Sequence, residues 1–103
     1  MNIKDIRSRL TAGNFEFSRH ALKRVVERNI AEREIREAGD NAAIIEDYPE
    51  DKYSPSCLVF GVTRNHRPIH LQVCYSSPET MKIITIYEPA PADWIDCRIR
   101  RTE

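Results

Sequence analysis

Apolar residues in the first forty positions of this chain recur at helical spacing, and the clearest such pattern begins at Ser18. Serine is a favoured residue at a helix N-cap. The apolar positions of the next two turns share one side of a helix, which predicts a main helix over residues 18–28 with that side against a sheet. These positions are Ala21, Leu22, Val25 and Val26. Charged residues fill the other side.

Two shorter helical patterns lie before and after this main helix. Apolar residues three and four positions apart predict a helix over residues 2–12 that ends at Gly13 and packs on the main helix. The same spacing predicts a third helix over residues 31–38, with Gly39 as its stop. The segment Phe15-Glu16-Phe17 predicts an extended connector whose two aromatic rings anchor the chain in the core.

From Asn41 onward the apolar residues alternate with polar ones, so the pattern changes from helix to strand. Short turn-rich segments divide this part of the chain into four strands. The strands cover residues 43–48, 57–63, 68–75 and 81–87. Connections this short cannot carry a parallel crossover. The predicted fold class is therefore α+β, with two to three N-terminal helices packed on one face of a four-stranded antiparallel meander sheet.

Alternation along the strands assigns side chains to the two faces of this sheet. In the second strand, Leu58, Phe60 and Val62 share one side, and we expect them to face the helices. In the fourth strand, Ile84 and Ile86 are expected to face the helices as well. The outward face is then partly polar and partly aromatic, and its members are His70, Gln72, Thr85 and Tyr87.

Length and composition restrict the class of protein. The chain has 103 residues, of which 41% are hydrophobic and 31% are charged, and these values are typical of one soluble globular domain over residues 1–103. No apolar run has the length of a membrane span and no segment resembles a signal peptide, so the expected location is cytoplasmic. The formal net charge is zero, so nucleic-acid binding would have to depend on a local basic patch.

The cysteines and histidines show no metal-binding spacing. Cys57, Cys74 and Cys97 are far apart, form no C-x-x-C pair, and are expected to be reduced. His66 and His70 do not have the spacing of two metal ligands on a helix. We therefore predict neither a metal site nor a cofactor.

Prolines end the fourth strand after Glu88. Trp94, the only tryptophan, is expected to dock the C-terminal segment on the domain. The basic residues 98–101 are expected to form a frayed end, as chain termini often do.

Several short motifs occur in a fixed order along these elements. They are Ser18-Arg19-His20-Ala21, Glu27-Arg28 with Ile30, Ile45-Glu46-Asp47-Tyr48-Pro49, Arg67-Pro68-Ile69-His70 and Ile84-Thr85-Ile86-Tyr87-Glu88-Pro89. With these motifs the chain resembles the uncharacterised prokaryotic family called domain of unknown function 4258, from about Phe17 to Trp94. That family is in turn similar to the RelE/ParE-like toxin superfamily, whose two N-terminal helices and four-stranded antiparallel sheet agree with the predicted order.

The resemblance implies a function as well as a fold. It implies a toxin-like, metal-independent endoribonuclease of toxin–antitoxin type, with RNA as substrate and a small antitoxin-like protein as partner. The residues that match the pattern are Arg19, His20, Arg28, His70, Thr85 and Tyr87.

Metal-independent cleavage of RNA requires a base for the 2′-hydroxyl, a cation for the developing charge and an acid for the leaving oxygen. His70 is the candidate base or acid, because the ordinary pKa of histidine lies near neutrality. His20 lies in a first helical turn, where the helix dipole disfavours the imidazolium, and is a second candidate base. Tyr87 is a candidate proton donor or a platform for a base. The candidate substrate-binding residues are Arg19, Arg24, Arg28 and Thr85.

Each of these assignments has a structural alternative. His70 could be hydrogen-bonded across the sheet, His20 could complete a helical turn, and the charges of the main helix could form a solvated face of ion pairs. The alternative function is a non-catalytic binding module of the same fold that uses the exposed sheet face for a protein or nucleic-acid partner. A dimer surface on that face is a third interpretation.

Overall fold

The computed structural model describes residues 1–52 and 54–102. Within these residues, three helices precede a sheet and a small hairpin follows it. The helices are α1 (Ile3–Ala12), α2 (Arg19–Glu27) and α3 (Glu32–Asp40), and the strands are β1 (Glu16–Phe17), β2 (Ala43–Tyr48), β3 (Ser56–Val62), β4 (Pro68–Ser77), β5 (Thr80–Tyr87), β6 (Trp94–Ile95) and β7 (Ile99–Arg100). None of the described helices is long and apolar enough to cross a membrane.

The main sheet has five strands in the order β1-β5-β4-β3-β2. The α+β class is confirmed, and strands β2 to β5 form the antiparallel meander within two residues of the predicted boundaries. The prediction of a purely antiparallel, four-stranded sheet is wrong, because β1 pairs in parallel with β5. A strand of two residues is too short to show an alternating pattern, so the sequence predicted only an extended connector there.

The three helices lie on one face of the main sheet, where α3 packs against β3 and β4 and α2 packs against β5. The principal partner of α1 is α3, not the main helix α2 as expected. Gly39 allows this contact, because a Cβ atom at this position would lie 2.4 Å from the Cβ of Leu10. Gly39 is therefore a point of close helix packing inside α3, and the expectation that it stops the helix is wrong.

Polar side chains fix the start of α2 and of α3. The Ser18 hydroxyl oxygen accepts the N–H of Ala21 at 3.0 Å, and the hydroxyl donates to the Ile84 carbonyl at 2.8 Å. This N-cap therefore also fixes the start of α2 against β5. At the start of α3, the Glu34 side chain accepts the N–H of Ala31 at 2.9 Å, since alanine itself offers no capping group.

The faces of β3 are the reverse of the expected ones. Val59 pairs with Leu71 and faces the helices, whereas Phe60 pairs with His70 and faces away. Because every residue from Ser56 to Gly61 is buried, both sides of β3 are apolar, and alternation could not identify the side that meets the helices. The expected helix-facing set is wrong at all three positions, Leu58, Phe60 and Val62.

Strand β5 contains a bulge that changes which side chains enter the core. Ile86 faces the helices opposite Leu71, as predicted, but so does Ile83, three positions earlier. Two residues three positions apart can share one face of a strand only if the strand contains an extra residue. The extra residue is Ile84, so the expectation that Ile84 faces the helices is wrong.

Helix α2 buries a narrower side than predicted. Ala21 is fully buried and Val25 packs against the core, but Leu22 is 53% exposed and Val26 is 75% exposed. The helix lies over β5, near one edge of the sheet, so only one side of it meets other residues. The expectation that Leu22 and Val26 face the sheet is therefore wrong.

Strands β6 and β7 form a C-terminal hairpin on the face of the main sheet that lies opposite to the helices. Trp94 in β6 is only 4% exposed, which confirms that it docks the C-terminal segment. Its ring meets that of His70 nearly at a right angle, with 4.5 Å between the ring centroids. The sheet face that was expected to be open is thus partly covered.

The expectation that residues 98–101 form a frayed end is wrong, because they contain β7. The turn between the two strands has Asp96 and Cys97 at its centre, with φ of 52° and 62°, and the N–H of Arg98 donates to the Ile95 carbonyl at 3.0 Å. Hairpin turns with two positive φ angles usually contain Asn or Gly. The absence of glycine explains why the sequence did not indicate a hairpin here.

Candidate functional site

His70 lies at the centre of a cluster between the main sheet and the C-terminal hairpin. Its side chain is fully buried. Aromatic rings surround it with centroid distances of 4.5 Å to Trp94, 5.3 Å to Tyr87 and 5.7 Å to Phe60. His70 therefore does not lie on an open surface, and a substrate can reach it only through a neighbouring group.

Both ring nitrogens of His70 have hydrogen-bond partners. Nε2 is 2.6 Å from the Cys97 carbonyl oxygen, and Nδ1 is 3.3 Å from the Tyr87 hydroxyl. A carbonyl oxygen can only accept, so Nε2 carries the proton, and Nδ1 of the neutral ring accepts from the Tyr87 hydroxyl. The surroundings therefore select one neutral tautomer of His70.

The same surroundings keep His70 and Tyr87 uncharged near pH 7. Burial lowers the pKa of His70, against the opposing effects of the Cys97 carbonyl and the negative charge of Glu46. Burial also raises the pKa of Tyr87. The pair thus consists of a neutral imidazole that can accept a proton and a neutral phenol that can donate one.

Acidification from pH 7.5 to 5.5 is expected to destabilise the fold through His70. The ordinary pKa of histidine is about 6.5 and burial lowers it in the folded state, so the unfolded state binds more protons in this range. The stabilisation is complete above pH 6.5 and is lost as the pH falls, by at most about 1.4 kcal/mol per pH unit. Urea denaturation at a series of pH values measures this slope.

Two variants isolate the contribution of His70 to that slope. His70→Gln keeps an N–H donor for the Cys97 carbonyl and does not titrate, so its stability should change little with pH. His66→Gln, at an exposed turn position, should keep the wild-type slope. Glu46 does not interfere, because its pKa is held below the ordinary value of 4.5 by the hydrogen bonds from Arg100. Equal slopes for His70→Gln and the wild type would contradict the prediction.

An ion pair encloses the cluster on the side of β2. Arg100 donates hydrogen bonds of 3.0 and 3.2 Å to the two oxygens of Glu46, and its Cζ lies 4.6 Å from the centroid of the Trp94 ring. The Tyr48 hydroxyl donates to the same carboxylate. Burial, together with this carboxylate, raises the pKa of Tyr48 to about 12. Glu46 is therefore a fixed negative charge whose field reaches His70.

A cleft of about 320 Å³ opens beside this cluster. It is lined by Tyr87, Asp93, Trp94, Arg100 and Arg101. The cleft thus combines a phenol that can transfer a proton with two guanidinium groups that can hold a phosphate. Its two arginines were not among the predicted site residues, because residues 98–101 were expected to form a frayed end, and Asp93 was not predicted either.

A larger cleft of about 840 Å³ lies between α3 and the turn that follows β3. Its charged side chains largely neutralise each other, as in the pairs Arg33–Glu37 at 3.2 Å and Arg36–Glu32 at 3.0 Å. It contains none of the predicted site residues. The smaller cleft is the better candidate site, because it contains the groups that can do chemistry.

The remaining predicted catalytic residue, His20, lies on α2 on the other side of the sheet. His20 is exposed and accepts a hydrogen bond of 3.4 Å from Arg24, which also donates to Glu27 at 3.1 Å. Across residues 1–52 and 54–102, no hydrogen bond or ring contact connects His20 with His70 or Tyr87. The structure brings His70 and Tyr87 together and separates His20 from them.

The predicted substrate-binding residues are divided between these two places. Arg19 lies next to His20 at the start of α2 and Arg28 lies at the other end of this helix, and both are exposed. The Arg28 carbonyl accepts a hydrogen bond from Arg67 at 2.8 Å. Thr85 is half-buried on β5 and pairs with Gln72, so it shares the sheet face of His70. The arginines of α2 are therefore not positioned to bind a substrate that reaches Tyr87.

Arg67 has an extensive role that was not predicted. Its guanidinium donates to the Glu34 carboxylate at 2.9 and 3.1 Å, to Glu88, and to the carbonyls of Arg28 and Asn29 at 2.8 and 3.0 Å. It thereby joins the end of α2, the start of α3 and the end of β5. These partners are at least 21 positions away in the sequence, so no local spacing could reveal them.

The described residues contain no group of three or more His, Cys, Asp or Glu side chains that could hold a metal ion. Cys57, Cys74 and Cys97 are free thiols.

Comparison with protein-family models identifies the family to which the central part of the chain corresponds. The model called Domain of unknown function (DUF4258) matches residues 17–88. The chain belongs to the DUF4258 family. The searches of curated proteins and of solved structures found no match. The DUF4258 segment includes His70 and Tyr87, but it ends before the C-terminal hairpin that covers them.

Proposed function

We propose that this DUF4258 domain is a toxin-like, metal-independent endoribonuclease in which Tyr87 is the group that meets the RNA. The observation that carries the proposal is the hydrogen bond between Tyr87 and His70 at the wall of a cleft that also contains Arg100 and Arg101. The resemblance of the family to RelE/ParE-like toxins supports RNA as the substrate and a small antitoxin-like protein as the partner.

The proposed reaction begins with proton transfer through Tyr87. The phenol oxygen takes the proton of a 2′-hydroxyl while the phenol passes its own proton to Nδ1 of His70. The 2′-oxygen attacks phosphorus, the bond to the 5′-oxygen breaks, and water in the open cleft supplies the proton of the leaving group. The products are a 2′,3′-cyclic phosphate and a 5′-hydroxyl. The negative charge of Glu46 favours the imidazolium that forms.

Arg101, which is in none of the ion pairs of the described residues, supplies the positive charge for the pentavalent phosphate, and Arg100, whose charge is paired with Glu46, lies beside it. Arg100 is held by Glu46 and by the Trp94 ring, and Arg101 donates to the Pro91 carbonyl at 2.8 Å. Cations that are fixed before the reaction stabilise a transition state without a cost of reorganisation. The fixed positions of these two side chains support the proposed cleavage.

Replacement of Tyr87 by phenylalanine is expected to reduce RNA cleavage about 100-fold or more, the usual effect of removing a proton-transfer group. The assay uses the purified full chain, single-stranded RNA and EDTA, and it detects 2′,3′-cyclic phosphate and 5′-hydroxyl ends. The ring of phenylalanine fills the same space, so the fold should remain intact, and thermal unfolding checks this.

Tyr75→Phe is the matched control for this experiment. It also removes one phenol hydroxyl, but that hydroxyl donates to Asp5 of α1, away from the cleft. Cleavage by this variant should equal that of the wild type. Absence of cleavage by the wild type, or equal cleavage by Tyr87→Phe and the wild type, would contradict the proposed endoribonuclease.

A non-catalytic binding module is the second candidate function, and the complete burial of His70 favours it. In that case the wild type binds RNA but leaves it intact. Binding should then become less salt-dependent by about one unit of the logarithmic slope when Arg101 is replaced by alanine, because one phosphate contact is lost. Fluorescence anisotropy with labelled RNA at several salt concentrations measures this slope.

A further inference from the structure

We propose that α2 carries a docking surface for an acidic amphipathic helix of another protein. The surface consists of Arg19, Leu22, Lys23 and Val26, and we call it the apolar–basic stripe. A helix advances about 100° per residue, so these four side chains lie within a sector of about 100° on the outer side of α2. The stripe is separate from the cleft at Tyr87, which lies on the other side of the sheet.

The apolar part of the stripe is not needed for the fold of the domain. Leu22 and Val26 are one helical turn apart and are 53% and 75% exposed, while Ala21 and Val25 make the contacts of α2 with the core. Apolar side chains on adjacent turns form one continuous patch, and burying that patch is favourable. The patch therefore offers a partner a contact that the domain itself does not use.

The basic part of the stripe is also unoccupied. None of the ion pairs found within residues 1–52 and 54–102 includes Arg19 or Lys23. Arg24, farther around the helix, is different because it is paired with Glu27 at 3.1 Å. The positive charges next to the apolar patch are therefore those that remain available to a partner.

Charge and polarity together identify the occupant. A helix with apolar residues three and four positions apart, bordered by glutamate or aspartate, would bury its apolar side on Leu22 and Val26 and pair its carboxylates with Arg19 and Lys23. A second copy of the same stripe would bring like charges together. An RNA backbone would pair with the two cations but would bury neither apolar side chain.

The test uses the ¹⁵N-labelled full chain and a synthetic 20-residue helical peptide with leucines three and four positions apart between glutamates. Addition of the peptide should shift the amide NMR signals of residues 18–28, and the affinity should fall as salt is added. The double variant Leu22→Ser/Val26→Ser should bind at least tenfold more weakly. Ile99→Ser, which removes an apolar side chain that is 62% exposed on the hairpin, should leave the affinity unchanged.

A charge exchange makes the test specific. The double variant Arg19→Glu/Lys23→Glu should no longer bind the acidic peptide. It should instead bind the same peptide with lysines in place of the glutamates. No shift at residues 18–28, equal binding of both peptides by the wild type, the same shifts with single-stranded RNA, or self-association of the free protein through this surface would each overturn the proposal. RNA cleavage by Leu22→Ser/Val26→Ser should equal that of the wild type, so this result is independent of the proposed endoribonuclease.

Discussion

Gly61→Ala is expected to lower the free energy of unfolding by about 3 kcal/mol, near the upper end for an overpacked core. A Cβ atom at Gly61 would lie 2.0 Å from the carbonyl oxygen and 2.7 Å from the carbonyl carbon of Ala38. These are backbone atoms of α3, and they cannot move aside as a side chain can. Either α3 would have to lift from β3, or β3 would have to bend away from the core.

Gly13→Ala is the control for this substitution. A Cβ atom there would lie 2.4 Å from Nη2 of Arg36, which is the flexible end of a side chain, although the φ of +74° adds strain of roughly 1 kcal/mol. Urea denaturation of the two variants should therefore show a clearly larger loss for Gly61→Ala. A Gly61→Ala protein as stable as Gly13→Ala would contradict the close approach of α3 to β3.

Trp94→Ala is expected to lower stability by about 3 kcal/mol, because a large buried ring is lost. The same substitution should raise the pKa of His70 toward its ordinary value of 6.5. Burial is the main cause of the lowered pKa, and the Trp94 ring is one of the groups that shield His70 from water. Urea denaturation measures the first effect, and an NMR titration of the His70 ring measures the second. The pH dependence of stability should weaken in parallel.

Ile95→Ala is the control on the same hairpin. Ile95 follows Trp94 and points away from the cluster, with 40% of its side chain exposed. This substitution should change the stability by less than about 1 kcal/mol and should leave the pKa of His70 as in the wild type. An unchanged pKa of His70 in Trp94→Ala would show that the hairpin is not what excludes water from the cluster.

The C-terminal hairpin changes the environment of His70 on the sheet face. An exposed His70 would titrate near its ordinary pKa and meet a substrate directly. The buried one is held neutral, in one tautomer, by the Cys97 carbonyl and the Tyr87 hydroxyl. Tyr87 remains on the wall of a cleft that Arg100 and Arg101 of the hairpin also line.

The candidate site could be predicted only in part from the sequence. His70 and Tyr87 were identified because they lie among the alternate, partly polar positions of two neighbouring strands and within the family motifs. In the structure the two residues are directly opposite each other in the register. The grouping of His20 with them stays without structural support, since α2 lies on the helix side of the sheet. Because the helices were expected on the face opposite to His70, His20 could have joined the pair only at the edge of the sheet.

The sequence by itself determined the order and the approximate ends of the helices and of strands β2 to β5. Periodicity, N-cap residues and turn residues are local, so they could be recognised before any contact was known. Only the tertiary structure decided the side of β3 that meets the helices, the bulge at Ile84 and the hairpin over His70. Each of these features depends on packing between segments that are distant in the chain. The local sequence pattern fits the observed arrangement and its alternative equally well, so it cannot choose between them.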